Sequence, residues 1–341
     1  MLIKQALYPL FYGLSMPFSL ASLIQKTGQS LLLPVYHTVS NRPLPHIQHL
    51  YQLKNVAQFE RDIDYLLKHF KPISNADIHE YSVENQTIAT PSFHLSFDDG
   101  MRDCYEIIAP ILKKKGVSAT FFINPAFVDN QQLFYRHQIS VLIHQLKSGS
   151  VFKAQQSAAI ALLKDVNLFK KNLIHSLYQL TYHHQKILQQ VAFLLGVNFK
   201  DYLKTERPYM TKSEILALQK DGFTIGAHSL DHPRYADIEF DERVRQTLES
   251  VRFITKNFPS SHKIFAFPYF SADISLAFFE KIKNQVDLTY GTSGLKMDVV
   301  DQHLHRFPME GLALSPKIMV KGEYFLYLLK KKLGRNIVTR I

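Results

Sequence analysis

The chain of 341 residues holds a single cysteine, Cys104. An internal disulfide is therefore excluded, and nothing points to an oxidising compartment. Cys104 falls with Ile107, Ile108, Ile111 and Leu112 at helical spacing, which reads as a buried structural thiol rather than a nucleophile. Periodic units are absent, which argues against a solenoid. Charged residues make up only 20% against 46% apolar ones, the balance of a folded chain rather than a disordered one. Acids are the scarcer charge, 29 against 40 Lys and Arg, leaving a net charge of +11. That excess favours an acidic partner, whether nucleic acid, anionic lipid or an acidic polymer. The triplets Lys113–Lys115 and Lys330–Lys332 read as solvated helix ends, where cations suit the helix dipole. No nucleic-acid signature accompanies them, so no nucleic-acid partner is expected.

Long unbroken apolar runs are also lacking. Lys4 precedes an apolar stretch from Ala6 to Ile24, but Pro9 and Pro17 interrupt it, and Tyr8, Tyr12 and Ser15 dilute it. Three readings stay open for this segment: a packed or interfacial helix, a signal peptide with Ser19 and Ala21 at a cleavage-like spacing, and a membrane span. A cytoplasmic or membrane-associated location is expected over secretion.

What the sequence does contain is alternation. Strand-like apolar runs occur at Leu31–Tyr36, Ser92–Phe97, Val117–Ile123, Phe223–Ala227, Lys263–Phe267, Val286–Tyr290 and Leu304–Phe307. Several are apolar for most of their length, as strands covered on both faces tend to be. Amphipathic patterns lie between them, including the stripe Phe59, Ile63, Leu66, Leu67 and Phe70. Thr211 with Glu214 three residues on forms a capping box, with Gly222 past the helix end; another helix runs from about Phe240 to Asn257, ending at Pro259. Ser315-Pro316 reads as the start of the last helix. The pattern predicts an α/β architecture of parallel strands with helices packed outside. It divides into an N-terminal segment 1–28, a core 29–310 and a basic C-terminal helix within 311–341. From about His137 to Asp201 the strands stop, and this stretch reads as a helical insertion bordering the site or simply packed on the core.

Two motifs carry chemistry. Ser96-Phe97-Asp98-Asp99-Gly100 ends a buried strand, and paired carboxylates beside an apolar core are costly unless they bind a cation or do acid–base work. Alone, Asp-Asp-Gly also reads as a tight turn. His228-Ser229-Leu230-Asp231-His232 follows the strand Phe223–Ala227. Alone, two imidazoles four residues apart also read as a surface pair, but they can converge on one cation, and a carboxylate joining them makes a three-ligand set with open positions, the catalytic rather than structural pattern.

With these residues in view, the chain resembles the polysaccharide deacetylases (carbohydrate esterase family 4, the NodB-homology domain). Ser96–Gly100 resembles their first motif, usually written with Thr in first place, and His228–His232 their His-Ser/Thr-x-x-His motif. Ala119–Ile123 and Asp221–Ala227 look like the flanking strands, Phe265-Ala266-Phe267-Pro268-Tyr269 resembles the third motif, and Leu33–His37 the opening strand of several members. The resemblance spans roughly residues 29–310 apart from the insertion. It implies a distorted, incomplete (β/α) barrel, here with a helical insertion, and metal-assisted removal of an acetyl group from an N-acetylated sugar. By this resemblance Asp99, His228 and His232 would bind the metal, Asp98 would be the general base, and the backbone N–H of Tyr269 would help hold the oxyanion. A carboxylate with two imidazoles suits zinc, though cobalt, nickel or iron would also bind.

Two departures follow. The family's third motif carries an Arg that orients the base, where this chain has Ala266. The usual late Leu-x-His pattern, which supplies the general acid, is out of register in His303-Leu304-His305-Arg306-Phe307. His305 is the candidate acid, with His303 also open, and Arg306 the candidate for the missing positive charge. Adjacent strand residues face opposite ways, so His305 and Arg306 would both reach the site only across a bulge. His37, at the end of the opening strand, is either a further site residue or a satisfied core histidine. The expected substrate is an N-acetylated glycan, with a non-polymeric or lipid-linked amide or a degenerate sugar-binding protein as alternatives. The apolar N-terminus and the basic last helix read either as parts packed on the barrel or as a peripheral contact with anionic membrane.

Overall fold

The computed structural model describes residues 12–84, 86–258 and 262–340. Eight parallel strands form its main sheet: β1 (Pro34–Tyr36), β2 (Leu95–Phe97), β3 (Ala119–Ile123), β4 (Thr224–Ala227), β5 (Ile264–Ala266), β6 (Leu288–Gly291), β7 (His303–His305) and β8 (Phe307–Pro308). Their order is β7-β6-β5-β4-β3-β2-β1-β8. The two outermost strands are consecutive in sequence, so the sheet comes back on itself. β7 pairs with β6 (His303 opposite Thr289), and β8 pairs with β1 (Phe307 opposite Pro34). Arg306 is the residue between them. This is the expected incomplete barrel of parallel strands ringed by helices.

Two expected strands are each divided in two. Leu31–Leu32 and Ser92–Phe93 pair with each other in a small side sheet with Lys71–Pro72, while β1 and β2 continue into the barrel. The apolar character is continuous across both pieces, which is why the sequence reads them as one.

Helix ends follow their capping chemistry. The helix Val56–His69 starts at a capping box between Asn55 and Gln58. Thr211 and Glu214 do the same for Lys212–Lys220, with Thr211 N–H donating to Glu214 Oε2 at 2.7 Å. The last helix is Pro316–Lys332; Ser315 occupies its cap position without a capping hydrogen bond from its hydroxyl. The helix Phe240–Asn257 ends two residues before Pro259, which lies outside the described residues. So do residues 1–11 of the apolar N-terminal stretch; from Leu20 to Thr27 that stretch is a short helix capped by Ser19 and Gly28. Between β3 and β4 the described chain is helical throughout its regular parts, from Tyr135–Lys147 to Phe199–Glu206.

The core divides by sheet face. Phe122, Ile264, Ala266, Leu288 and Tyr290, with Leu33 and Leu304, fill the inside of the barrel. Phe97, Phe121, Phe223, Ile225 and Phe265 belong to the larger core between the sheet and the helices. Alternation along each strand produces this division.

Candidate metal centre

The C-terminal ends of β2 and β4 lie near each other because β3 pairs with both. Immediately after β2, Asp99 and Gly100 take left-handed backbone, φ +70° and +63°. Glycine suits the second position, because a Cβ there would also meet Ile123 Cδ1 at 3.2 Å. After β4 the second motif is loop, with Ser229 and His232 also left-handed (φ +62° and +63°). Ser229 Oγ accepts from His232 N–H at 3.1 Å, and the Asn124 amide donates to the Ser229 carbonyl at 3.2 Å.

These turns bring three ligand atoms together. Asp99 Oδ1 lies 3.2 Å from His232 Nε2 and 3.5 Å from His228 Nε2. All three residues are buried. The second nitrogen of His228, Nδ1, donates to the Ala266 carbonyl at 2.8 Å, which leaves the Nε2 lone pair facing the carboxylate. Asp99 Oδ1 has no hydrogen-bond partner. A lone pair aimed at a buried, unpartnered carboxylate oxygen is repelled unless a cation lies between them, so the residues present fit a divalent metal. Burial pulls the His228 imidazole down to about 4, so it is neutral, as a ligand must be.

Asp98 is held differently. Arg306 donates to both its carboxylate oxygens, Nη1 at 2.7 Å and Nη2 at 2.8 Å, and Nη1 also reaches Ser96 Oγ at 3.0 Å. The guanidinium lies over the Phe122 ring at 5.1 Å. Burial pushes the Asp98 carboxyl up, but Arg306, with His228 and His37, outweighs it and holds the group below the usual carboxylate range. Asp98 is thus an ionised, oriented carboxylate 3.8 Å from His228 Nε2. Ala266 leaves the inner face of β5 uncharged, and Arg306 supplies the guanidinium from the closing strand.

His305 is brought elsewhere. Its Nε2 meets Asp298 Oδ2 at 2.9 Å, and Asp298 is gripped in turn by the Arg340 fork, with both contacts at 2.7 Å. His303 bonds Ser271 Oγ and Thr289 Oγ1. The strand stays regular: His303 and His305 share the outer face, while Leu304 and Arg306 point into the barrel. No bulge is needed, because Arg306 alone turns to the site. Asp298, His303 and His305 are close enough to hold a cation, but a guanidinium already fills that role.

His37 also lies within the field of the centre's carboxylates. It follows β1 and pairs through Nδ1 with Glu310 Oε1, while its backbone N–H donates to Glu310 Oε2 at 3.1 Å. Burial lowers its pKa, yet Glu310, with Asp99 and Asp98, carries it up to about 10. His37 is therefore a half-buried imidazolium within the field of both site carboxylates. The sequence signal was its place at a strand end, the same place that marks Asp98; Glu310, just beyond β8, carried no motif. Cys104 is fully buried and donates to the His37 carbonyl at 3.4 Å, a structural contact.

Tyr269 has φ +57°, and its ring packs on His232 at 4.9 Å. The helical segment between β3 and β4 closes that side. Phe134, just before its first helix, packs its ring at a tilt against His232 at 4.4 Å, Tyr135 OH meets Tyr269 OH at 3.1 Å, and Tyr182 OH donates to Asp231 at 2.8 Å.

Comparison with known proteins places this geometry. Among curated proteins none matches. The solved deacetylase PplD of Streptococcus pyogenes, in complex with acetate, superposes with a TM-score of 0.55 at 13% identity, over 86% of this chain and 97% of that one. A de-N-acetylase from Aggregatibacter actinomycetemcomitans gives 0.54 at 13%, over 85% and 99%. IcaB from Ammonifex degensii gives 0.52 at 12%, over 86% and 96%. At such identities these establish the fold. The polysaccharide deacetylase family model matches residues 85–158 and 176–290, more than half of the chain and both motifs. The chain belongs to the polysaccharide deacetylase family, hydrolases of carbon–nitrogen bonds other than peptide bonds.

Proposed function

We propose that the chain is a metal-dependent de-N-acetylase acting on an N-acetylated sugar of a poly- or oligosaccharide, in envelope or exopolysaccharide metabolism. The observation that carries this reading is the convergence of Asp99 Oδ1, His228 Nε2 and His232 Nε2 beside an Asp98 clamped by Arg306. A divalent cation, zinc first among candidates, supplies acidification of a water and polarisation of the acetyl carbonyl when bound. Asp98 takes the proton of the attacking water, and Arg306 keeps the carboxylate ionised and aimed. As the carbon–nitrogen bond breaks, the imidazolium of His37 gives its proton to the departing amine, leaving acetate and a free amino sugar. The left-handed Tyr269 backbone beside His232 is the candidate for holding the developing oxyanion. His305 takes no part in this scheme.

The intact base and clamp argue against a sugar-binding protein without activity. The Phe134 and Tyr135 wall favours, as a second reading, a short or lipid-linked amide over the middle of a long chain. Metal analysis of the purified protein, with acetate release from N-acetylglucosamine oligomers of increasing length, tests both. Asp98→Asn should keep the metal and lower turnover roughly 10²-fold or more. Absence of bound metal, or an unchanged rate in Asp98→Asn, would overturn the scheme. Activity confined to the shortest oligomers would select the second reading.

A further inference from the structure

The charges of this chain are unevenly placed. No acidic side chain occurs before Glu60, and none occurs after Glu323, although Lys26 lies in the first stretch and Lys330, Lys331, Lys332, Arg335 and Arg340 in the second. These two stretches meet in space. The N-terminal helix Leu20–Thr27 packs along the last helix, with Phe18 stacked on Phe325 at 5.5 Å. The loop before it is pinned: Tyr12 OH donates to Glu323 at 2.9 Å, and Lys321 Nζ to the Met16 carbonyl at 2.7 Å. The Glu323 carboxylate is thereby buried and used.

What that pinned loop presents is apolar. Leu14 is 54% exposed and Met16 and Phe18 39% each, with Leu333 at 69% beyond the end of the last helix. Beside them runs a groove of about 470 Å³, floored by Phe18, Phe325 and Leu328 and rimmed by Lys26, Lys331 and Lys332. Scattered exposed apolar residues need no explanation, but a cluster rimmed by one sign of charge does.

We propose that this face seats the protein on an anionic phospholipid membrane, with Leu14, Met16 and Phe18 entering the acyl boundary and the lysine rim meeting lipid phosphates. The charge pattern selects this occupant. A second copy of the chain would bring the same cationic rim to a two-fold interface and be repelled. An acidic polymer would satisfy the lysines and leave the apolar floor in water. A bilayer offers phosphates above and hydrocarbon below in that order. Attachment is peripheral, since no helix among the described residues is long and apolar enough to cross a membrane. The inference stands apart from the chemistry at the metal centre.

Sedimentation of the full chain with phosphatidylcholine vesicles, with and without phosphatidylglycerol, tests it. Binding should require phosphatidylglycerol and weaken as salt rises through the screening range. The double variant Lys331→Glu/Lys332→Glu should lose roughly tenfold or more in partitioning, and Leu14→Ser, at an exposed position, should weaken binding independently. Both should keep the wild-type midpoint in chemical unfolding, which separates lost docking from lost folding. Equal binding to neutral vesicles, no binding to either, wild-type binding by both variants, or a dimer in solution dissolved by the lysine reversals would each overturn the proposal.

Discussion

The base proposed for this centre must be ionised and aimed, and the Asp98 carboxylate is held in both respects by one side chain 208 residues away in sequence, the forked guanidinium of Arg306. A lysine at that position would deliver the charge as a point on a flexible stem. Arg306→Lys is therefore expected to lower kcat for acetate release roughly 10- to 100-fold with the metal still bound; a rate within twofold of wild type would show that the fork is not needed. The proposed acid depends on one partner as well. His37→Ala should lower kcat by roughly 10²-fold or more, as removal of a general acid does. Glu310 raises the imidazole's pKa, so Glu310→Gln should bring it down and move the alkaline limb of the kcat profile to lower pH. An unmoved alkaline limb would separate His37 from the proton transfer.

At the scale of elements, the closing segment His303–Pro308 decides which residues reach the centre. Its first half pairs with β6 and its second with β1, and Arg306 between them enters the barrel while His305 faces out. On the outer side the C-terminal strand Ile337–Val338 pairs with Met297–Asp298 and carries Arg340 into a fully buried contact with Asp298, which also holds His305. Removing one partner of such a pair leaves a buried charge uncompensated. Arg340→Ala is expected to destabilise the fold by about 3–5 kcal/mol in chemical unfolding, while the surviving folded protein keeps the wild-type metal content. A loss below about 1 kcal/mol would mean that the Asp298 carboxylate finds another partner or water.

For the whole molecule, what could be read along the chain was periodicity and strand ends. The alternation of apolar runs with amphipathic stretches announced parallel strands under helices, because strands covered on both faces must be apolar almost throughout. Asp98, Asp99, His228 and His232 stood out because the two motifs occur together at the ends of such strands, although either alone also has a bland reading as a turn or a surface pair. These things local sequence determined. The tertiary structure decided the rest. Alternation fixes which strand residues share a face but not which face is inside, so His305 and Arg306 could be ranked only once the barrel had closed. The division of Leu31–Tyr36 between two sheets depends on partners supplied by Ser92–Phe97, and the pairing of His37 with Glu310 spans 273 residues. Contacts of that range are set by how strands order around the sheet, and no local pattern encodes them. The +11 charge was plain in the composition, whereas its gathering around an apolar groove came from packing the two ends of the chain against each other.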